Sequence, residues 1–392
     1  MAPHAAPAGD SVVAQTAAMS TRHRLKGPPL HSFAWPLASA LALAACQAGS
    51  DGVSAPPAAT FVGLGILPGY SSSRALAVAG DGSVVAGTAS TVSGMKQAFT
   101  WNAQQGSAAL GFAPTGTNSA AAAVSADGSV ILVNGDSAVA PPTPSAVFRW
   151  TREAGFVRLA SPDNSTLCSG AGVSGDGSVI VGTCLRYNGE AFRWLADAAP
   201  IGLGRFGGGS DQTSSAAAIS ANGSLVVGAG HPVLTGALAW DATGIATILG
   251  KLPTDASAVA TATSRDGSVV VGVSLDSAGN AHAFRWTRQA GMEALGALPD
   301  GISGSVAAGA SGDGTRIVGW GAAASAGEVA LVWDAAHGWR SLAAALRADH
   351  RMELPGWKLE RATAISDDGH DIVGYGTNPQ GQTEAWRLLL PR

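Results

Sequence analysis

A short turn, Asp-Gly or Asn-Gly, recurs at Asp81, Asp127, Asp176, Asn222, Asp266, Asp313 and Asp368. Both residue types tolerate the positive φ that tight hairpins demand, so each copy predicts a turn between two strands. A run of small residues precedes each turn and has Ser two positions before it, at Ser125, Ser174, Ser220, Ser264, Ser311 and Ser366, with Ala79 as the exception. A β-branched run follows and closes on Gly87, Gly182, Gly228, Gly272, Gly319 and Gly374, with Val133 as the exception. Seven copies roughly 47 residues apart mark a repeat architecture, because one such unit cannot bury its apolar face alone.

Two further elements complete the unit. Phe99 and Trp101, Phe148 and Trp150, Phe192 and Trp194, Leu238 and Trp240, Phe284 and Trp286, Leu331 and Trp333, and Trp386 and Leu388 alternate with period two, which puts each pair on one face of a third strand. Leu110, Leu159, Leu203, Leu249, Leu295 and Leu342 each fall nine residues after a Trp, as a fourth strand in fixed register would place them. The seventh unit has no room for that strand after Leu388, whereas Phe61-Val62-Gly63-Leu64-Gly65 is a spare copy near the start. The expected fold is all-β: a seven-bladed β-propeller of four-stranded antiparallel blades over residues 60–392, closed by the N-terminal strand pairing with the C-terminal blade. A right-handed β-helix is the competing solenoid, but its coils are shorter and it gains nothing from split terminal copies. Closure also protects sheet edges. The Phe/Trp ladder is expected between blades, where it fills the wedge.

Composition agrees with this and excludes other classes. Gly and Ala are abundant because they recur in register, as turn glycine, strand-closing glycine and small inner strand. Only 13% of residues are charged, and 23 Lys+Arg against 27 Asp+Glu give a net charge of −4, so the chain carries no basic footprint for nucleic acid.

The first 46 residues read as an export signal. Arg22, Arg24 and Lys26 precede an apolar stretch from Phe33 to Ala45, too short for a membrane span. Leu43-Ala44-Ala45-Cys46 resembles the bacterial lipobox, which implies that Cys46 is acylated and anchors the mature chain in a membrane. Gln47 after it implies, by the same resemblance, sorting to the outer membrane; an ordinary signal peptide with Cys46 near its cleavage site is the alternative. Met19, just before the basic stretch, offers a translation start. Residues 47–59 read as a flexible linker. Cys168 and Cys184 flank the Asp176-Gly177 turn almost symmetrically, so they face each other across two strands and are expected to form a disulfide in an oxidising compartment; two free apolar cysteines are the alternative.

The repeat core, Ser-x-Asp-Gly-Ser-Val-Val-Val-Gly, then Ala-Phe-Arg-Trp-Thr, then Leu-Gly-x-Leu-Pro, resembles the bacterial extracellular HAF repeats. His282-Ala283-Phe284-Arg285-Trp286-Thr287 preserves the namesake triplet, while the other copies carry Gln97, Ala146, Glu190, Gly236, Ala330 or Glu384 near the His position. The resemblance spans about residues 60–392 and implies export and a repeat fold, with no activity or ligand attached.

Motifs for chemistry are absent. The five histidines of the exported part, His231, His282, His337, His350 and His370, are dispersed without metal-ligand spacing, and no cofactor motif or nucleophile elbow occurs. The seven turn residues are expected to satisfy their own backbone, not to ring a calcium path. Arg149, Arg193, Arg285 and Arg387 are read as a solvated edge near the blade periphery. Variation concentrates in the second-to-third and fourth-to-first connections, which share one face of an up-and-down blade, as a binding surface would. The largest insertion, Ser341 to Arg361, is the densest polar segment; it is expected to hold a short helix and offers Arg347, His350, Arg351, Trp357 and Lys358 as candidate partner-binding residues. A solvated cap on the last blade is the plainer reading of it. The expected function is an exported, non-enzymatic lipoprotein binding an envelope protein or a glycan through the variable-loop face. The alternative is a polysaccharide-acting enzyme with its site at the channel mouth, where Asp211, Asp255, Asp300 and His350 could converge.

Overall fold

Each Ser-x-Asp-Gly turn is a self-satisfied hydrogen-bond unit in the computed structural model, which describes residues 58–392 except 115, 137–144, 163–166, 186–188, 196–197, 207–211, 232–235 and 324–326. Ser174 Oγ donates to Asp176 Oδ1 at 2.6 Å, Asp176 Oδ1 accepts the Ser178 N–H at 3.0 Å, and Ser174 Oγ accepts the Val179 N–H at 2.9 Å. Gly177 takes φ 72°, the left-handed region open to glycine. Blade 1 has Ala79 in the Ser position, and among the described residues the Asp81 carboxylate keeps the bond from the Ser83 N–H without a serine hydroxyl at position 79 beside it.

Seven four-stranded antiparallel sheets result, the blades of a β-propeller. Blades 1 to 6 are consecutive: residues 72–111, 119–158, 168–202, 213–250, 257–294 and 302–341. Blade 7 takes three strands from residues 358–389, and its outer strand is Thr60–Gly63, with Phe61 opposite Leu388 and Gly63 opposite Trp386. The chain ends thus share one sheet. The Asp-Gly turns and the third-to-fourth connections lie on one face, here the turn face; the second-to-third and fourth-to-first connections lie on the other, the loop face.

Each inner strand carries a register shift at the same place, for example between Ala75 and Ala77 and between Ala362 and Ala364. There the inner backbone presses on the strand-closing glycine. A Cβ on Gly228 would strike the Ser215 carbonyl oxygen, one on Gly319 that of Val306, and one on Gly374 that of Arg361. The recurrent glycine is required by backbone approach.

The core lies between blades. One cluster joins Ala86 and Ala98 of blade 1 to Ile131 and Phe148 of blade 2, and its counterparts fill the other six junctions. Phe99, Phe284, Trp240 and Trp386 are fully buried, whereas Trp150, Trp286 and Trp333 are half-buried. Trp240 Nε1–H donates to the Leu203 carbonyl of the preceding blade at 2.9 Å, and Trp333 Nε1–H to Leu295 in the same way.

Cys168 and Cys184 are direct cross-strand partners and are joined by a disulfide. Arg193 does not sit at a solvated edge: its guanidinium donates to the Gly223 and Ala242 carbonyls of the next blade. Arg387 pairs with buried Asp371 and stands 5.3 Å from the Trp101 ring, so it too staples neighbouring blades. Leu342 begins a helix, α1 (Leu342–His350), capped by Ser341 Oγ accepting the Ala344 N–H at 3.2 Å. Its Leu342, Ala345 and Leu346 are buried in the cluster between blades 6 and 7.

Candidate functional site

The inner strands line an axial cavity of about 340 Å³ mostly with Ala, Gly and Val, joined by Thr261, Thr263 and Thr363. At the turn face the residue before each turn donates its N–H to the carbonyl of the next blade: Ala126 to Gly175, Gly175 to Ala221, Ala221 to Arg265, Arg265 to Gly312, Gly312 to Asp367 and Asp367 to Gly80. The Asp81 N–H to Ala126 completes this closed ring, all at 2.8–3.1 Å. Arg265 and Asp367 form an ion pair on the same ring. Chemistry-bearing side chains gather instead at the opposite, loop-face mouth.

There, two positions set the rim. The residue after the strand-closing position of the second strand is Thr88, Asn134, Thr183, Ala229, Val273, Trp320 or Tyr375. Its partner on the inner strand is Arg74, Ala120, Ser169, Ser215, Val259, Val306 or Arg361. Large groups occur only in blades 6, 7 and 1, and they interlock. The Arg361 guanidinium of blade 7 stands over the Trp320 ring of blade 6, 4.3 Å from its centroid. One junction further, Arg74 of blade 1 stands over Tyr375 of blade 7 at 4.8 Å. Both are cation–π contacts. Glu328 grips Arg361 in a two-toothed ion pair and raises its already high pKa. Burial raises the Tyr375 hydroxyl, against the opposing pull of Arg361 and Arg74.

Two further carboxylates beside this cluster, Glu360 and Glu384, are engaged. Glu360 Oε1 accepts the Thr377 hydroxyl at 2.7 Å, while Glu384 accepts the Gly65 N–H at 2.8 Å and the Asn378 amide at 2.6 Å. Nearby on the loop face, buried Asp255 holds His282 Nδ1 at 3.0 Å, leaving the imidazole 42% exposed. Among the described residues no group of three or more His, Cys, Asp or Glu is placed to hold a metal ion.

The insertion does not gather its five candidate residues into one site. Arg347 pairs with Glu353 at 2.7 Å, both largely exposed. His350 lies at the far end of α1 beside Asp349, Arg340 and Asp334, toward the turn face, and Arg351 closes the helix with φ 51°. Trp357 is half-buried, edge-on to Phe61 at 5.1 Å, so it covers the closing strand; Lys358 follows it at the start of Lys358–Ile365, on the loop-face side. Asp255, Asp300 and His350 do not converge either, since Asp255 is tied to His282, Asp300 is exposed in a connection and His350 lies toward the other face. Asp211 and Cys46 lie outside the described residues.

The rim cluster was not found from sequence, although one signal existed. Arg74 interrupts an inner strand otherwise made of small or apolar residues, Arg361 lies in the one inner strand that also carries Lys358 and Glu360, and Trp320 and Tyr375 follow the recurrent glycine where the other copies have small or β-branched residues or Asn.

No family model matches the chain, and no curated relative matches it either. Solved structures do. An oligogalacturonate lyase in complex with manganese aligns over 86% of this chain and 95% of its own, with 13% identity and a TM-score of 0.56. A prolyl endopeptidase aligns over 83% of this chain but 51% of its own, with 11% identity and a TM-score of 0.55. TolB from Acinetobacter baumannii aligns over 68% of this chain and 62% of its own, with 13% identity and a TM-score of 0.44. At these identities the likeness is one of fold: the chain is a seven-bladed β-propeller.

Proposed function

We propose that this chain is an exported envelope lipoprotein of HAF-type repeats, anchored in the outer membrane through acylated Cys46, whose propeller binds a protein or glycan partner through its loop face. The observation that carries the binding assignment is the concentration of Arg74, Tyr375, Arg361, Trp320 and Glu328 at the loop-face mouth, while the axial cavity is lined mostly by small residues and holds one ion pair, Arg265 with Asp367, at its turn-face end. Arg361 is satisfied by Glu328, whereas Arg74 is exposed and has no ion pair among the described residues, so the rim keeps one guanidinium for a partner. The disulfide supports export, because such bonds persist in oxidising compartments.

The test blocks one face at a time. Gln380→Cys sits in the loop-face connection of blade 7 and Ala154→Cys in a turn-face hairpin of blade 2; both positions are exposed. After each is coupled to a polyethylene glycol maleimide, binding to panels of envelope proteins and glycans is measured. Blocking residue 380 is expected to abolish binding and blocking residue 154 to leave it; the reverse pattern rejects the loop face. For the anchor, Cys46→Ala is expected to abolish acylation and release the chain from membranes.

Asp255 and His282 favour a second reading, an enzyme acting on polysaccharide. A buried carboxylate fixing one nitrogen of an exposed imidazole is how a general base is oriented. Product release from uronate polymers that His282→Ala abolishes would favour it over the binding reading.

A further inference from the structure

The 6/7 and 7/1 junctions use one device with a single difference. In both, an inner-strand arginine of one blade stands over an aromatic ring of the preceding blade: Arg361 on Trp320, then Arg74 on Tyr375. The two arginines occupy equivalent register positions, opposite Tyr375 and Thr88 respectively. At the 6/7 junction the guanidinium is completed by Glu328, which lies opposite Ala322, two residues beyond Trp320. The equivalent position at the 7/1 junction, opposite Thr377 and two residues beyond Tyr375, is Thr383. Threonine offers no charge and cannot reach as a glutamate does. Arg74 is exposed and has no ion pair among the described residues, and Glu328, Glu360 and Glu384 are each bonded elsewhere.

We infer that Arg74, stacked on Tyr375 at the 7/1 junction, binds a carboxylate from an acidic peptide segment of a partner protein, which takes the place that Glu328 takes against Arg361. This rests on the loop-face binding reading and names the ligand chemistry for it. The internal template fixes the chemistry: Glu328 shows that a glutamate side chain on an extended strand fits this geometry with two parallel N–H···O bonds, the arrangement in which arginine recognises carboxylates best. A peptide fits better than a sugar at Arg74 because the Tyr375 ring lies beneath the guanidinium and is only 8% exposed, so it presents no bare face for a sugar ring to stack on.

The experiment titrates the full exported chain against a fluorescein-labelled Gly-Glu-Gly-Glu-Gly amide, its glutamine counterpart and labelled tetragalacturonate. The acidic peptide is expected to bind and the glutamine peptide not to. Arg74→Gln should weaken binding by about tenfold to a hundredfold, the worth of a lost charge-assisted pair. Thr383→Glu, which installs the blade 6 carboxylate in blade 7, should abolish peptide binding while keeping or raising the thermal midpoint, so a folding defect cannot mimic the result. Unchanged affinity in either variant overturns the inference. Binding of tetragalacturonate without the peptide overturns the peptide assignment, and binding of neither overturns the site; the face-blocking experiment, read independently, decides whether the propeller still binds through its loop face.

Discussion

At the scale of single residues, the Ser-x-Asp-Gly turn makes its own acid sensitivity. The Ser174 hydroxyl, followed by the Ser178 N–H and hydroxyl, holds the Asp176 carboxyl at about 2, below its ordinary value of 3.8; Asp127, Asp266 and Asp313 shift the same way. The folded state therefore binds fewer protons than the unfolded one below the ordinary value. The contribution of these turns is fully present above about pH 4 and is lost as pH falls toward about 2. Urea denaturation across that range should show stability falling, with a shallower fall in Asp176→Asn. At neutral pH, Asp176→Ala should cost about 0.5–1 kcal/mol, the low end for hydrogen bonds because the turn is exposed to screening solvent. The same change at Asp81, whose turn has Ala79 instead of Ser, should cost less.

Elements show what a linear sequence can and cannot carry. Turn, third-strand aromatic and closing glycine repeat locally, and each is imposed by local geometry: positive φ at Gly177, inter-blade packing at Phe284, backbone contact at Gly228. The same logic brought Cys168 and Cys184 face to face, since a turn at Asp176 sets their register. Replacing both with Ser should lower stability by about 3 kcal/mol if loop closure dominates, and reductant should have no further effect on that variant. Helix α1 was legible as an insertion; its packing was not. Its polar residues look like a patch in sequence, but Leu342 and Leu346 anchor it between blades 6 and 7, His350 lies toward the turn face, Arg347 pairs with Glu353 and Trp357 covers Phe61 of the closing strand. The arginine–aromatic pairs escaped for another reason. Arg74 and Tyr375 come from opposite ends of the chain and meet only because the ring closes; the register that aligns them exists only once all seven blades are in place.

For the whole molecule, closure and asymmetry are linked. Thr60–Gly63 completes blade 7 and sits under Trp357 and beside Trp386 through Phe61, at 5.1 and 6.1 Å. Phe61→Ala should cost about 2 kcal/mol, and thermal unfolding should show blade 7 amides losing hydrogen-exchange protection first. The seven repeats make a nearly uniform scaffold whose turn face is tied by a ring of backbone hydrogen bonds, and the departures from uniformity at the loop-face mouth fall on blades 6, 7 and 1. Blades 7 and 1 also meet at the junction beside the closing strand, so the rim site depends on the closure that makes the ring. The central claim is that one of two equivalent arginine devices is open to a ligand carboxylate and the other is satisfied internally. Side-chain NMR of arginine-labelled protein, titrated with the acidic peptide, tests it most directly. The Arg74 Nε–H resonance should move in proportion to occupancy while that of Arg361 stays fixed; equal movement of both, or none at Arg74 under saturating peptide, would contradict it.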